Sequence, residues 1–434
     1  MNEVPTRAQA RAQEKSAGPS VARHGKLKRH HPFRTILAVL VTVVAVLGVS
    51  TAGVAAYAVL DVTGTAVAKK TVTLVDAKGN EVVPKVGAMD GAFNVLLAGS
   101  DSGGGNAAYG ERGEVLNDVT MVLHVSSDHK NATVISFPRD MFVAIPSCPD
   151  PNGGSFDAMS RQKINSSLSY GGLACTVLTV EKLTGLDIPY AGVIEFDGVI
   201  EMSNAVGGVP VCVAGDIEDP YTGLNVKAGQ NTLEGAQALA FLRTRHGVGD
   251  GSDLGRISNQ QVFLSSLVRT IKSADTLTNP LKVYGLAKAA VSNIQLSSSL
   301  QNVTTIASMA VALKDIDISK VVFVQYPNHY VDGGVAPTVD AADTLMNALK
   351  NDQPVTLTGD TGIGSQADPN APATQAPATQ APATQAPAAP STDAPADGST
   401  GGTTDASAGG SVELPSDVHG QTAAQYTCSK PFED

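Results

Sequence analysis

Between Phe241 and Gln261 the chain reads FLRTRHGVGDGSDLGRISNQQ. Arg243, Arg245, Asp253, Arg256 and Gln260 crowd into this stretch, with glycine-rich turns at Gly247–Gly251 and Gly255. Guanidinium groups hold phosphate oxygens through paired parallel hydrogen bonds. Three of them with an amide donor therefore make a set suited to a phosphate or pyrophosphate. The same residues also fit a solvated charged turn, and spacing alone does not separate the two readings.

Other groups strengthen the first reading. Asp101 follows the apolar run FNVLLA and the tip Gly99-Ser100, and Asp118 opens the run Val119 to Val125. Polar tips on buried strands are where α/β proteins place functional residues. Two such carboxylates, joined by phosphate oxygens and waters, make a magnesium site; taken singly, each is an ordinary turn aspartate. A third strand, Thr133 to Phe137, ends at Pro138-Arg139-Asp140 and adds a fourth arginine.

The elements that must position these groups follow from local signals. Asn231-x-x-Glu234 resembles a capping box, so GAQALAFL is expected to be a helix, with Gly247 as its stop. Ser252 or Asp253 is expected to cap a second helix running through Ile257, Leu264, Leu267, Val268 and Ile271. Arg256 and Gln260 are four apart and share one face of it. Arg243 and Arg245 are two apart and share a face only if extended. Further strands are expected at Ala191 to Phe196, Val209 to Val213 and Val321 to Tyr326. Helices are expected at Ser166 to Tyr170, Cys175 to Leu183, Pro280 to Leu313 and Thr338 to Lys350. Alternating strand and helix predict an α/β fold, an α-β-α sandwich with one central mixed sheet.

Charge and hydropathy set the topology. Residues 1–34 form a basic tail with eight Lys or Arg against Glu3 and Glu14. Ile36 to Leu60 then runs without a charge, long enough to cross a bilayer, so 35–60 is expected to be a single transmembrane helix. Basic residues before it and none just after put the N-terminus in the cytoplasm. Of 30 basic and 41 acidic residues, 22 and 39 then fall outside, a formal charge of −17. An acidic surface of this kind excludes nucleic acid as a partner of the outer part. The basic tail suits anionic membrane lipid instead.

All four cysteines lie in the outer part, where disulfides persist, and allow three connectivities. Cys148 with Cys175 is the preferred pair, because both flank one irregular Gly- and Pro-rich excursion. Cys428 is expected to be stapled back to the folded domain through Cys212. Residues 361–410 carry APATQ three times from Ala371 and are expected to be an extended linker without a core. The expected organisation is a tail (1–34), the span (35–60), a stalk (61–90), a catalytic domain (91–275), its helical and strand extension (276–360), the linker (361–410) and a last segment (411–434). The apolar residues Val193, Ile194, Phe196, Val199, Ile200 and Met202 are candidates for a lipid channel; the plainer reading is ordinary core. No GxSxG or P-loop motif is present, and His124, His129 and His246 lack partners at triad spacing.

The set GSDS, NDVTMVLHVS, SFPRDMFVAIP, KINSSLSYGG, TVEKLTGL and ALAFLRTRH…SDLGRISNQQ resembles the LytR-CpsA-Psr family over Phe93 to Ser273. The resemblance implies a membrane-anchored enzyme of Gram-positive bacteria that moves a glycan, as its phosphate, from a polyprenyl-pyrophosphate carrier onto peptidoglycan, with magnesium. It implies Asp101 and Asp118 as magnesium ligands and Arg139, Arg243, Arg245, Arg256 and Gln260 as the pyrophosphate grip. Asp253 takes the place of the acidic residue that activates the acceptor or orients an arginine. Where many relatives carry arginines near the two metal-binding aspartates, this chain has Gly103 and Leu116 or Asn117, and Arg112 is the candidate to compensate. Competing readings are a hydrolase of the pyrophosphate carrier, a non-catalytic wall- or lipid-binding protein, and a transcription-attenuating protein.

Overall fold

The computed structural model describes residues 61, 71–83, 91–101, 115–150, 153–273, 276, 279–300, 303–372 and 410–433, all within one unit that spans 60–434. The basic tail, the apolar stretch 35–60 and Arg112 lie outside the described residues. Among the described residues no helix is long and apolar enough to cross a membrane.

Seven strands make the central sheet: β1 (Phe93–Ser100), β2 (Asn117–Val125), β3 (Ala132–Phe137), β4 (Tyr190–Ile194), β5 (Ile294–Leu296), β6 (Val321–Gln325) and β7 (Gly420–Thr422). Their order is β5-β4-β1-β2-β3-β6-β7. β1, β2 and β3 form an antiparallel meander, whereas β4 joins β1 and β6 joins β3 in parallel, so the sheet is mixed. The inner strands are apolar on both sides because both faces are covered. Leu96, Ala98, Val122, Ile135 and Val324 share one core with helices α1 (Ser166–Thr184) and α7 (Val339–Lys350). Val125, Ala132 and Phe323 face the other core, against α4 (Asp253–Lys272) and α6 (Val303–Lys314). Burying each aliphatic side chain contributes about 1.5–3 kcal/mol, so two-sided coverage outweighs the weak intrinsic preference of the short edge strands. The result is the expected α-β-α sandwich.

A third core is built by Val209, Val211, Val213, Leu224, Phe241 and Phe263. It lies under a four-stranded sheet ordered Gly229–Leu233, Val209–Val213, Thr427–Ser429, Ser365–Ala367. Cys148 is bonded to Cys175, and Cys212 to Cys428 across 216 residues of sequence. α1 is two helices merged across a kink at Gly171 and Gly172. A Cβ at Gly171 would sit 2.8 Å from Cys175 Cβ and 2.9 Å from Cys148 Cβ, so the disulfide seats only where that residue has no side chain.

Several expectations are corrected. The part of the expected stalk between 71 and 83 belongs to the domain: Leu74 is 1% exposed, and Val72 bridges Ser297. The expected extension 276–360 contributes β5 and β6 to the sheet itself. The expected linker does not begin at 361, because Ser365–Ala367 pairs with Thr427–Ser429. The apolar run after β4 is a helix, α2 (Phe196–Val206). The capping box does not form. Asn231 lies in a strand and donates to the carbonyls of Lys227 and Gly229, and α3 (Gly235–Arg243) starts without a side-chain cap. The stretch Pro280 to Leu313 is broken by β5 into α5 (Pro280–Asn293) and α6.

Near the end of α1, burial and the charges of Asp187 and Asp76 push the Glu181 carboxyl up to about 7, although it accepts the Ile188 N–H at 2.8 Å. The folded chain thus keeps a proton that the unfolded chain loses near 4.5, and stability falls as pH rises from there through about 7. Discounted for partial exposure, Glu181→Gln is expected to stabilise by on the order of 1–2 kcal/mol at pH 8 and by nothing at pH 4. Thermal melts of both proteins at the two pH values check this. An equal difference at both would be wrong for a titrating Glu181.

Candidate active site

The candidate residues converge at one edge of the central sheet. β1 and β2 pair Gly99 with Val119 and Ser100 with Asn117 across a bulge, which brings Asp101 and Asp118 to neighbouring strand ends. A Cβ at Gly99 would lie 2.9 Å from Val119 Cβ, so the bulge needs glycine. Asp101 is buried and accepts the Leu116 N–H at 2.9 Å. Arg139 follows β3. Its loop is held by Lys163, which donates to Asp140 at 2.9 Å, and by the Asn165 N–H, which donates to the Arg139 carbonyl at 3.3 Å. Asn165 also accepts the Asn117 N–H at 3.1 Å, so the Lys163-Ile164-Asn165 segment ties the Arg139 loop to the start of β2.

Helix α4 supplies the other side. Ser252 caps it by accepting the Gly255 N–H at 3.2 Å. Asp253 in its first turn pairs with Arg256 at 2.5 Å and accepts the Arg139 backbone N–H at 2.9 Å. Arg256 also donates to the Asp118 carbonyl at 2.6 Å, and the Arg139 guanidinium pairs with the Asp118 carboxylate. Two carboxylates thus bind two arginines drawn from distant parts of the chain. Gln260 donates to the Leu242 carbonyl at 2.9 Å, satisfying the end of α3. Arg243, the last residue of α3, lies over the Phe196 ring at 4.2 Å. Arg243 and Arg245 therefore come from a helix end and the loop behind it, not from an extended pair.

The electrostatics are uneven. Burial works against the charge of Arg139, yet Asp118, Asp140 and Asp253 hold its pKa above the ordinary arginine value. Burial and the like charges of Arg139 and Arg256 hold Arg245 below it, only partly offset by Asp253 and Asp118. The Nε donor of Arg256 is buried without a hydrogen-bond partner among the described residues, and that of Arg139 has only the Asp140 carboxylate, 3.5 Å away. Together with the N-terminal end of α4, such donors attract an anion.

Beside this charged rim lies an apolar cavity of about 170 Å³. Leu97, Met121, Phe196, Leu239, Leu264 and Leu267 line it, and Asp118, Arg243, Arg256 and Gln260 border it. Of the expected channel residues, Ile194, Phe196, Val199 and Met202 line the cavity. Val193 belongs instead to the core on the opposite face of the sheet, and Ile200 is not in the lining. Among the described residues the group Cys212, Asp368 and Cys428 has metal-like proximity, but its two cysteines are joined to each other and offer no thiolate.

Two positioning groups had no evident sequence signal. Thr244 is fully buried and donates to Asp219 Oδ2 at 2.5 Å, between Arg243 and Arg245. Asn259, also fully buried, donates to the Phe241 carbonyl at 2.6 Å. Asp219-Pro220 could have been noticed as a turn; nothing short of the fold shows that it holds Thr244.

The fold and site define an α/β protein with an arginine-rich anion site at a sheet edge, opening beside an apolar cavity. The chain belongs to the LytR_cpsA_psr family, whose sequence model matches residues 56–352. It is 30% identical to the cell wall biosynthesis protein LcpA of Corynebacterium glutamicum, over 73% of this chain and 63% of that protein. The chain thus spans just under two thirds of that relative's length. It is 28% identical to TagT of Bacillus subtilis, a polyisoprenyl-teichoic acid–peptidoglycan teichoic acid transferase, over 65% of this chain and 88% of TagT. A LytR-Csp2A-Psr enzyme from Actinomyces oris superposes with a TM-score of 0.49 at 20% identity, over 65% of this chain and 95% of that one.

The charge balance predicts opposite effects of two neutral substitutions. Asp253→Asn leaves Arg256 buried without its counter-charge and is expected to cost about 3 kcal/mol of stability. Arg245→Gln removes a charge held among like charges and is expected to raise Tm by roughly 2–4 °C. Denaturant and thermal unfolding of both variants give the answer. Destabilisation by Arg245→Gln would mean that attraction to Asp253 and Asp118 outweighs the repulsion.

Proposed function

We propose that this chain is a membrane-anchored phosphotransferase of cell-wall assembly. In this reading it moves a glycan phosphate from a polyprenyl-pyrophosphate carrier to a sugar hydroxyl of peptidoglycan. The observation that carries it is the convergence of Arg139, Arg245 and Arg256 on Asp118 and Asp253 at the mouth of an apolar cavity. A pyrophosphate head with a long apolar tail is a ligand that needs both. The name of TagT supports the same substrate class. The apolar stretch 35–60, preceded by a basic tail, would keep the domain outside the cell and beside its lipid donor.

Phosphoryl transfer asks for alignment and charge neutralisation more than for a covalent nucleophile. Arg139, Arg243, Arg245, Arg256 and Gln260 would grip the pyrophosphate oxygens, and the polyprenyl chain would lie along Ile194, Phe196, Val199 and Met202. The acceptor hydroxyl attacks the phosphorus that bears the glycan, the bond from that phosphorus to the bridging oxygen breaks, the hydroxyl proton passes to solvent, and polyprenyl phosphate leaves. Asp253 is engaged by Arg256 and by the Arg139 N–H, which favours a role in orienting the arginines over one as a base.

Asp101 and Asp118, at adjacent strand ends, would supply the hard carboxylate oxygens that Mg²⁺ takes, with phosphate and water oxygens completing its shell. Bound there, Mg²⁺ would neutralise pyrophosphate charge.

Replacing Arg243 or Arg245 by Lys keeps the charge but loses the fork. Turnover of a polyprenyl-pyrophosphate glycan donor is expected to fall roughly a hundredfold in either variant, for a loss of about 2–3 kcal/mol of transition-state stabilisation. Near-normal turnover in both would remove the arginines from the proposed centre. Asp101→Ala and Asp118→Ala are expected to abolish magnesium-dependent turnover with the fold retained by circular dichroism. A variant that kept the parent's magnesium dependence would take that aspartate out of the metal site.

A further inference from the structure

The loop that carries Arg245 is poorly equipped to hold itself. Between Arg245 and Ser252 it contains three glycines, and Gly249 and Gly251 have positive φ (57° and 78°). Its own backbone bonds are few: the Val248 N–H to the Arg245 carbonyl at 3.2 Å and the Gly251 N–H to the Val248 carbonyl at 3.1 Å. Glycine-rich backbone is costly to order, and Arg245 stands among like charges that push it away.

The Thr244 hydroxyl accepts the Gly247 N–H at 3.2 Å, Tyr330 donates to Asp250 at 3.4 Å and Val248 is buried, but the backbone bonds that reach the loop from elsewhere come from 429–433, outside the stretch matched by the family. The Gly249 N–H donates to the Lys430 carbonyl at 3.2 Å, the Phe432 N–H to the Gly247 carbonyl at 2.9 Å, and the Glu433 N–H to the Gly249 carbonyl at 3.1 Å. Val248 and Pro431 pair as an antiparallel bridge. The Phe432 ring lies so close to Gly251 that a Cβ there would come within 3.1 Å of it. Three residues before Phe432, Ser429 donates to Asn259 at 2.6 Å, and Asn259 in turn holds the Phe241 carbonyl, two residues before Arg243. The Lys430 N–H is bound to the Gly364 carbonyl at 3.0 Å, and Cys428 to Cys212, so this short strand is itself anchored on both sides.

We propose that residues 429–433 act as a brace that positions the Arg245 loop for the pyrophosphate head of the donor, with Phe432 and Glu433 as positioning residues. The inference rests on the function proposed above for Arg245. The backbone bonds from this strand complete the ordering of the loop and help to keep Arg245 in place against repulsion.

The test uses the full chain, its Phe432→Ala/Glu433→Pro double variant and Phe432→Leu. Hydrogen exchange at Gly247–Gly251, affinity for inorganic pyrophosphate and donor turnover are measured. In the double variant, exchange at these amides is expected to quicken while that of β1–β3 and α1 stays as in the parent. Pyrophosphate affinity and turnover are expected to fall on the order of tenfold or more, as misplacement of a binding group by an ångström does. Phe432→Leu should keep both near the parent level. Unchanged loop exchange overturns the brace whatever the ligand does, and so does quickened exchange with unchanged pyrophosphate affinity. A parent chain that binds pyrophosphate but transfers nothing counts against the proposed function, while the comparison of variants still decides this one.

Discussion

Crowding several guanidinium groups at one sheet edge is a problem of charge before it is a device for binding. Two like charges about 5 Å apart repel by roughly 3 kcal/mol in a surface-like dielectric. Here the repulsion is offset by Asp118, which pairs with Arg139 from the end of the next strand, and by Asp253, which pairs with Arg256 in its own helical turn. The balance is incomplete, since Arg245 remains disfavoured in its charged form. A surplus of positive charge in an otherwise acidic chain is what a polyanionic ligand would neutralise.

The architecture can be understood as a way to bring that surplus together. Asp118 and Arg139 ride on one antiparallel meander, whose register is protected by burial on both faces. Asp253 and Arg256 ride on the first turn of α4, which is pressed against the same sheet. The bonds from Arg139 to Asp253 and from Arg256 to the Asp118 carbonyl join these two halves across more than a hundred residues of sequence. Next to them α2, α3 and α4 leave an apolar cavity, so a charged head and an apolar tail can be taken by adjacent surfaces.

Much of the active region is finished by chain that lies far from it in sequence. Segment 410–433 adds β7 to the central sheet, joins Cys428 to Cys212 and lies along the loop behind Arg245. Gly364 fits against Gly255 so closely that a Cβ there would lie 2.1 Å from the Gly255 carbonyl, and one face of the α4 N-terminus is thereby covered. The last parts of the chain thus take part in the geometry of the first turn of α4.

By itself the sequence determined the chemical types and the local elements. Arginine, aspartate and glutamine at these spacings, the strand tips at Asp101 and Asp118, and a helix capped at Ser252 or Asp253 and carrying Arg256 and Gln260 all follow from periodicity and side-chain chemistry. Only the tertiary structure decided the partners. That Asp253 accepts the Arg139 N–H, that Asn259 is buried between Phe241 and Ser429, and that Leu74 and Ser365–Ala367 belong to the folded body depend on which surfaces bury against one another. Helix α2 was hidden for the same reason: Val199 and Ile200 suit a strand locally, and packing against α3 and α5 overrides that preference. Local signals act over a few residues, whereas register, burial and ion pairing are settled between segments that the sequence places a hundred residues apart.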